Sequence, residues 1–277
     1  MQTFHGHTRG ISQVCWAPDS LFLCTASDDC ALRVWSLLDR ALYATLEGHT
    51  HYVYTCAFSP QSNLIASGGY DESVRIWDLQ SRKCIRVLPA HSDPVTGVAF
   101  SLDGTLIVSC SFDGLIRIWD TATGQCLKSL IDETNVPVSH VSFSPNSQFI
   151  LASSLNSEIK LWSYATGKAL REFRGHGNVK YSLATQFLSW PMRASQGAPK
   201  EYVLSGTEDG KLCGWDLQTA RIAFSIPVHH GMFSLSRIDR YTELTKTAGK
   251  RQPPSLLSTV TRHSLSLQQE LWMAKTP

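Results

Sequence analysis

Apolar and polar positions between Val53 and Leu88 fall into four short runs separated by turn residues. Val53–Ser59 alternates, Pro60-Gln61 turns, and Leu64–Gly68 is apolar. Tyr70-Asp71-Glu72 turns again, Ser73–Trp77 is rich in β-formers, and Cys84–Leu88 closes the unit. A period of two, β-branched content and evenly spaced turns predict four strands per unit and no helix.

The unit repeats. Arg33-Val34-Trp35-Ser36, Arg75-Ile76-Trp77-Asp78, Arg117-Ile118-Trp119-Asp120 and Lys160-Leu161-Trp162-Ser163 align at steps of 42, 42 and 43. Cys213-Gly214-Trp215-Asp216 follows after 53. Upstream stand Gly6-His7, Gly48-His49, Ala90-His91 and Gly175-His176, and in the first three copies the His precedes its Trp by 28 residues. This pair of marks at a period near forty is the signature of WD-repeat β-propeller blades. The expected fold is therefore all-β, with five four-stranded blades over residues 1–226 and Trp marks at 35, 77, 119, 162 and 215.

Each copy also carries a His, a Ser, an Asp and the Trp. Copy two has His49, Ser67, Asp71 and Trp77; copy three has His91, Ser109, Asp113 and Trp119. Copy five offers His176, Ser205, Asp209 and Trp215, and copy one has Thr25 at the Ser position. A nucleophilic triad is needed once, at one cleft, whereas this set recurs. It reads as a buried hydrogen-bond chain locking each blade's turns, with no catalytic residue assigned. The enzyme alternative, a Ser–His–Asp hydrolase, needs the set to converge once beside an open cleft. Copy four has Glu133, Ala152 and Asn156 instead and keeps only Trp162, so it is expected to rely on apolar packing by Val141, Phe143, Ile150 and Leu161.

The start of each inner strand points to a propeller's channel. Stepping by the period from Ser12 gives Tyr54, Thr96, Ser139 and Ser182, with Asp28, Tyr70 and Phe112 at the rim. Hydroxyls beside an aromatic face suit a guanidinium, whose donors they accept and whose plane the ring stacks on. On spacing alone, the favoured reading is that inner-strand hydroxyls do no more than solvate a wet channel.

Several stretches go beyond generic blade sequence: Pro60-Gln61-Ser62-Asn63-Leu64-Ile65, Asp71-Glu72-Ser73-Val74-Arg75-Ile76-Trp77-Asp78, Leu88-Pro89-Ala90-His91-Ser92-Asp93-Pro94-Val95, Arg117-Ile118-Trp119-Asp120-Thr121-Ala122 and Gly124-Gln125-Cys126-Leu127-Lys128. Together they closely resemble the WD-repeat core subunit of COMPASS/trithorax-type histone lysine methyltransferase complexes, from about Phe4 to Ile226. The resemblance implies a nuclear, non-enzymatic scaffold with seven blades and no cofactor. Its channel would bind arginine-containing peptides, such as a histone tail or a motif of the methyltransferase. The implied arginine pocket is Ser12, Tyr54, Thr96, Ser139, Tyr181 and Ser182. Tyr54 stands where the family has Phe, Ser182 where it has Cys, and Ala184 where it has a second stacking ring. A second groove, for another subunit, would be Asn146, Phe149, Leu161, Arg171 and Gln218, with Phe149 for a Tyr and Arg171 for a Lys. The alternatives are a scaffold or substrate receptor in a different complex, for example a ubiquitin ligase, and a truncated, non-functional isoform.

Composition narrows this picture modestly. The 277 residues include 25 Lys and Arg against 23 Asp and Glu, a net +2. Seven basic and three acidic groups lie in residues 229–277, so the first 228 carry 18 against 20. The repeats are mildly acidic, and residues 227–277 read as a basic, Ser/Thr-rich, disordered tail. His229-His230 reads as a remnant repeat mark and Leu265–Met273 as a short amphipathic helix. Direct nucleic-acid binding is not expected from so dispersed a charge. Neither a membrane helix nor a signal peptide is expected either, since no apolar run has the length and Met1–His7 lacks an apolar core. The eight cysteines show no paired spacing, so they read as buried hydrophobes or free thiols, with no bridge or metal site. The stretch between Phe187 and Tyr202 is about ten residues longer than its counterparts and is expected to be a surface loop. Five blades of a seven-blade ring would leave two open edges. The chain is therefore read as a truncated or spliced product, ahead of a ring closed with altered curvature or completed by a partner.

Overall fold

The computed structural model describes residues 3–190 and 200–228, and it is all-β. The first sheet comprises β1 (Ile11–Trp16), β2 (Phe22–Ser27), β3 (Ala31–Ser36) and β4 (Ala41–Glu47). The second has β5 (Val53–Phe58), β6 (Leu64–Gly69), β7 (Ser73–Asp78) and β8 (Lys83–Pro89). The third has β9 (Val95–Phe100), β10 (Leu106–Ser111), β11 (Leu115–Asp120) and β12 (Cys126–Ile131). The fourth has β13 (Val138–Phe143), β14 (Phe149–Ser154), β15 (Glu158–Ser163) and β16 (Ala169–Phe173). The fifth has β17 (Thr185–Trp190), β18 (Lys200–Gly206), β19 (Lys211–Asp216) and β20 (Ile222–Pro227). Every sheet is an antiparallel meander in chain order. The second sheet matches the four expected runs to within one residue at each end.

The chain forms two compact units. The first holds the described residues up to Arg174 together with Asn178–Ser182; the second holds Gly175–Gly177 and the described residues from Leu183 onward. In the first unit, neighbouring sheets bury apolar side chains against each other, and the signature Trp of one sheet closes the core shared with the sheet before it. Trp77 packs with Cys24, Leu32, Val34 and Leu46; Trp119 with Ile76, Val74 and Leu88; Trp162 with Ile116, Ile118 and Val141. The sheets approach closely: a Cβ on Gly68 would lie 2.4 Å from Val95 Cγ1, and one on Gly97 3.1 Å from the Val141 backbone nitrogen. Glycine is required there by the packing. Polar steps tie the inner strands together at the repeat spacing. Cys56 N–H donates to Gln13 Oε1 at 2.9 Å, Val98 N–H to Thr55 Oγ1 at 3.2 Å, and Thr96 Oγ1 to the Val138 carbonyl at 2.6 Å.

The expected surface loop after Phe187 is shorter than read. Leu188, Ser189 and Trp190 pair with Tyr202, Glu201 and Lys200, so both ends of that stretch extend a hairpin. Only residues 191–199 of it lie outside the described residues. The last described strand, β20, runs to Pro227, and Val228 N–H donates to the Gly210 carbonyl. The readings made for His229-His230, Leu265–Met273 and the tail from 229 on lie outside the described residues. All eight cysteines are unbridged.

Candidate functional site

Three hydrogen-bond chains fix the turns at one end of the first three sheets. In the second sheet, Trp77 Nε1–H donates to Ser67 Oγ at 2.8 Å, and Ser67 Oγ is 2.7 Å from His49 Nε2. His49 Nδ1 lies 2.8 Å from Asp71 Oδ2. The indole nitrogen only donates, so the serine hydroxyl accepts from it, and the carboxylate accepts from His49 Nδ1–H. The third sheet repeats this through Trp119, Ser109, His91 and Asp113, and the first through Trp35, Thr25, His7 and Asp29. Burial lowers the affinity of His7 and His91 for a proton, despite their carboxylate partners, in keeping with neutral rings. Burial alone would raise the Asp71 carboxyl, but bonds from His49, Ser73 and Thr50 outweigh it and hold the group well below its ordinary range. Thr25, Ser67 and Ser109 are buried, each oxygen held between an indole and an imidazole.

The fourth and fifth sheets depart from this. Among the fourth sheet's replacements, Trp162 Nε1 is buried without a partner, while Val141, Ile150 and Trp162 join one apolar core with Phe143 against it. Leu161 is buried outside that cluster. Polar support comes from residues outside the His, Ser and Asp positions: Asn178 Nδ2 donates to Ser153 Oγ at 3.3 Å, and Lys160 pairs with Asp132 at 2.8 Å. Glu133 is exposed, and Asn156 donates to Glu158. The expected fifth chain does not form. Both ring nitrogens of His176 are buried and unpartnered, Ser205 Oγ donates to the Gly206 carbonyl, and Asp209 is drawn to Lys211 and Thr207. Lys211, two residues from Asp209, pairs with that carboxylate instead.

The chains position the rim. Asp28, Tyr70 and Phe112 each immediately precede the carboxylate of a chain, and their N–H groups donate to the carbonyls of Gly10, Tyr52 and Pro94. Two residues beyond those carbonyls stand Ser12, Tyr54 and Thr96, and Leu155 and Ser139 repeat the relation through Pro137. Each of these four inner-strand residues is the extra residue of a β-bulge. The ladder skips Ser12 between Ile11 and Gln13, Tyr54 between Val53 and Thr55, Thr96 between Val95 and Gly97, and Ser139 between Val138 and His140. A bulge releases one side chain from the alternation and re-aims it, so four sheets place their candidate residue by the same device. The fifth sheet does not: Thr185 pairs with Ser205 without a bulge, and Ser182 lies ahead of β17.

The candidate pocket is not a uniform ring of hydroxyls. Ser12 is exposed and donates to Asp28 Oδ1 at 2.9 Å. Thr96 is buried with its proton on the Val138 carbonyl, and Ser139 is fully buried (0% exposed), donating to the Ser153 carbonyl at 3.0 Å. Ser182 Oγ donates to the Ser139 carbonyl, and Tyr181 is exposed beside Lys180, whose ammonium lies 5.2 Å from its ring. The accessible chemistry gathers at the first two sheets. There Tyr54 meets Tyr70 edge-on at 6.2 Å, and Tyr70 also packs against His51 at 4.6 Å. Burial, and after it the Asp28 charge, raises the Tyr54 phenol. Ala184 packs against Leu204 and Leu212 in the second unit.

Residues of the side groove are separated by burial. Phe149 lines a cleft of about 260 Å³ with Ser147, Gln148, Ser163, Tyr164 and Ala165. Asn146 closes its turn by accepting from Ser144 Oγ and Gln148 N–H. Leu161 is buried opposite exposed Arg171 on β16, and Gln218 lies in the β19–β20 turn of the second unit.

A profile of the WDR5 beta-propeller domain matches residues 1–253. The chain belongs to that family. No curated protein matches it. The family match extends past Trp215, the last of the Trp marks, and the five sheets are WD-repeat blades. Propellers of this type are typically non-enzymatic scaffolds acting through contacts with peptides and complex subunits. No helix of the described residues is long and apolar enough to cross a membrane.

Proposed function

We propose that this chain is a nuclear scaffold subunit of a COMPASS/trithorax-type methyltransferase complex that captures an arginine side chain of a partner peptide at the ends of its first two blades. The reading is carried by the rim of the first two sheets, where Ser12 orients the Asp28 carboxylate and Tyr54 meets Tyr70 edge-on. A guanidinium is donor-only and planar, so it needs acceptors in its plane and a π-face above it. Asp28 offers the first and Tyr54 the second. Thr96 and Ser139 keep the bulges in shape with their own carbonyl bonds, and Ser182 bonds to the Ser139 carbonyl at the fourth sheet. The cleft at Phe149 supports a second contact, taking an apolar side chain of another subunit.

The test is calorimetric titration of a histone-tail peptide against the same peptide with its arginine replaced by citrulline, which keeps the shape and loses the charge. Arginine-dependent binding is expected, weakened by about 3- to 30-fold in Tyr54→Ala through loss of the stacking face. Equal affinity for the two peptides, with the chain folded, refutes arginine capture. A glutamate at Ser139 is the wrong probe: the site is fully buried, so the charge would act on the fold first.

A further inference from the structure

The eight cysteines show no metal spacing in sequence, yet three of them converge. Cys15 on β1 and Cys24 on β2 are cross-strand neighbours in the first sheet. Cys56 on β5 reaches them from the second sheet, with its sulfur 3.3 Å from Cys15 Sγ. All three sulfurs lie within 4.8 Å of one another. The Gln13 side chain holds the Cys56 backbone against the first sheet, and Ala17, Ala26, Val53 and Phe58 surround the cluster with apolar surface. Three strands of a packed scaffold thus present three soft ligands to one point.

We propose that Cys15, Cys24 and Cys56 form a three-sulfur binding site for a soft monovalent cation, for which Cu(I) is the probe. Trigonal coordination at metal–sulfur distances of about 2.3 Å spaces the sulfurs by about 4 Å, within reach of the present arrangement. Zinc favours four ligands, and among the described residues no fourth His, Cys, Asp or Glu joins the group. A disulfide uses two sulfurs and gives the third no role; a trigonal ion uses all three. The thiolate is the metal ligand, so an ion held by the three sulfurs displaces thiol protons, which leave to solvent.

The test uses the full chain, reduced and free of oxygen, titrated with Cu(I) in competition with a chromophoric Cu(I) chelator. One ion per chain is expected, with affinity reduced by about 100-fold or more in Cys56→Ser and unchanged in Cys126→Ser, whose thiol is exposed. Two measurements need no variant. Bound Cu(I) should protect Cys15, Cys24 and Cys56 from alkylation while Cys84 and Cys126 react as before. X-ray absorption should show three sulfurs around the ion. Failure to compete with the chelator, protection spread over other cysteines, two-sulfur coordination, or a Zn(II) affinity exceeding that for Cu(I) would each overturn the site. None of these readouts depends on peptide capture.

Discussion

Trp77→Phe destabilises the second sheet by about 1–2 kcal/mol more than Trp162→Phe destabilises the fourth, although both remove the same part of a buried indole. Both rings are almost wholly buried, each closing the core between its own sheet and the one before. The loss of packed volume is therefore similar. The difference is the hydrogen bond. Trp77 Nε1–H donates to Ser67 Oγ, and its removal leaves a buried oxygen short of a donor in a chain that continues through His49 to Asp71. Trp162 Nε1–H has no partner to lose, so phenylalanine there removes an unsatisfied donor and part of the packing cost is offset. Trp77→Ala, which empties the site altogether, should cost about 3–5 kcal/mol. Denaturant unfolding of the variants, with amide exchange followed in β7 and β15, reads both effects. Equal losses for the two Phe variants would mean that the indole bond contributes nothing net.

That contrast also marks how far the chain could be read unaided. Strands were legible because alternation and turn residues are local properties: the second sheet's four runs follow from them directly. The His–Ser–Asp–Trp chains of the second and third sheets were legible because their spacing is set by one hairpin's geometry. The fifth was misread because a residue outside the set, Lys211, competes for Asp209. Bulges at Ser12, Tyr54, Thr96 and Ser139 were invisible for the opposite reason. Each adds its residue in every one of those copies, so the period is unchanged and only the pairing register reveals it. Burial of Thr96 and Ser139 depends on how neighbouring sheets pack, which spacing along the chain does not encode. The same holds for the three cysteines, two from one repeat and one from the next, and for the bond from Asn178 to Ser153. The long insertion ran the other way: Pro, Gly and Ser content suggested a loop, and backbone pairing carried Leu188–Trp190 into a strand instead.

Acid should weaken the fold in two stages, the first beginning near neutrality. His140 and His176 are held at about 4 by burial, and burial also lowers His7 and His91. An unfolded histidine titrates near 6.5. Below about pH 6.5, then, the unfolded chain takes up protons that the folded chain refuses, so stability is full above that value and falls as pH drops toward 4. A shift of that size is worth on the order of 3 kcal/mol for one histidine at most, so two of them together rival the stability of an ordinary domain. The second stage comes from carboxylates. Asp29, Asp71 and Asp113 are lowered in the fold, burial being outweighed by their hydrogen bonds, and their contribution persists above about pH 4 and is lost below it. Unfolding free energies measured from pH 7.5 to 4.5 should decline throughout, with a slope reporting the uptake of more than one proton. His176→Phe should flatten the part of the decline read by amide exchange in β18 and β19, because that imidazole has no partner to give up and only its exclusion from water to lose. A stability that stays level from pH 7 to pH 5 would show that the buried imidazoles accept protons in place, and with that the neutral-ring direction assigned to the hydrogen-bond chains would fall.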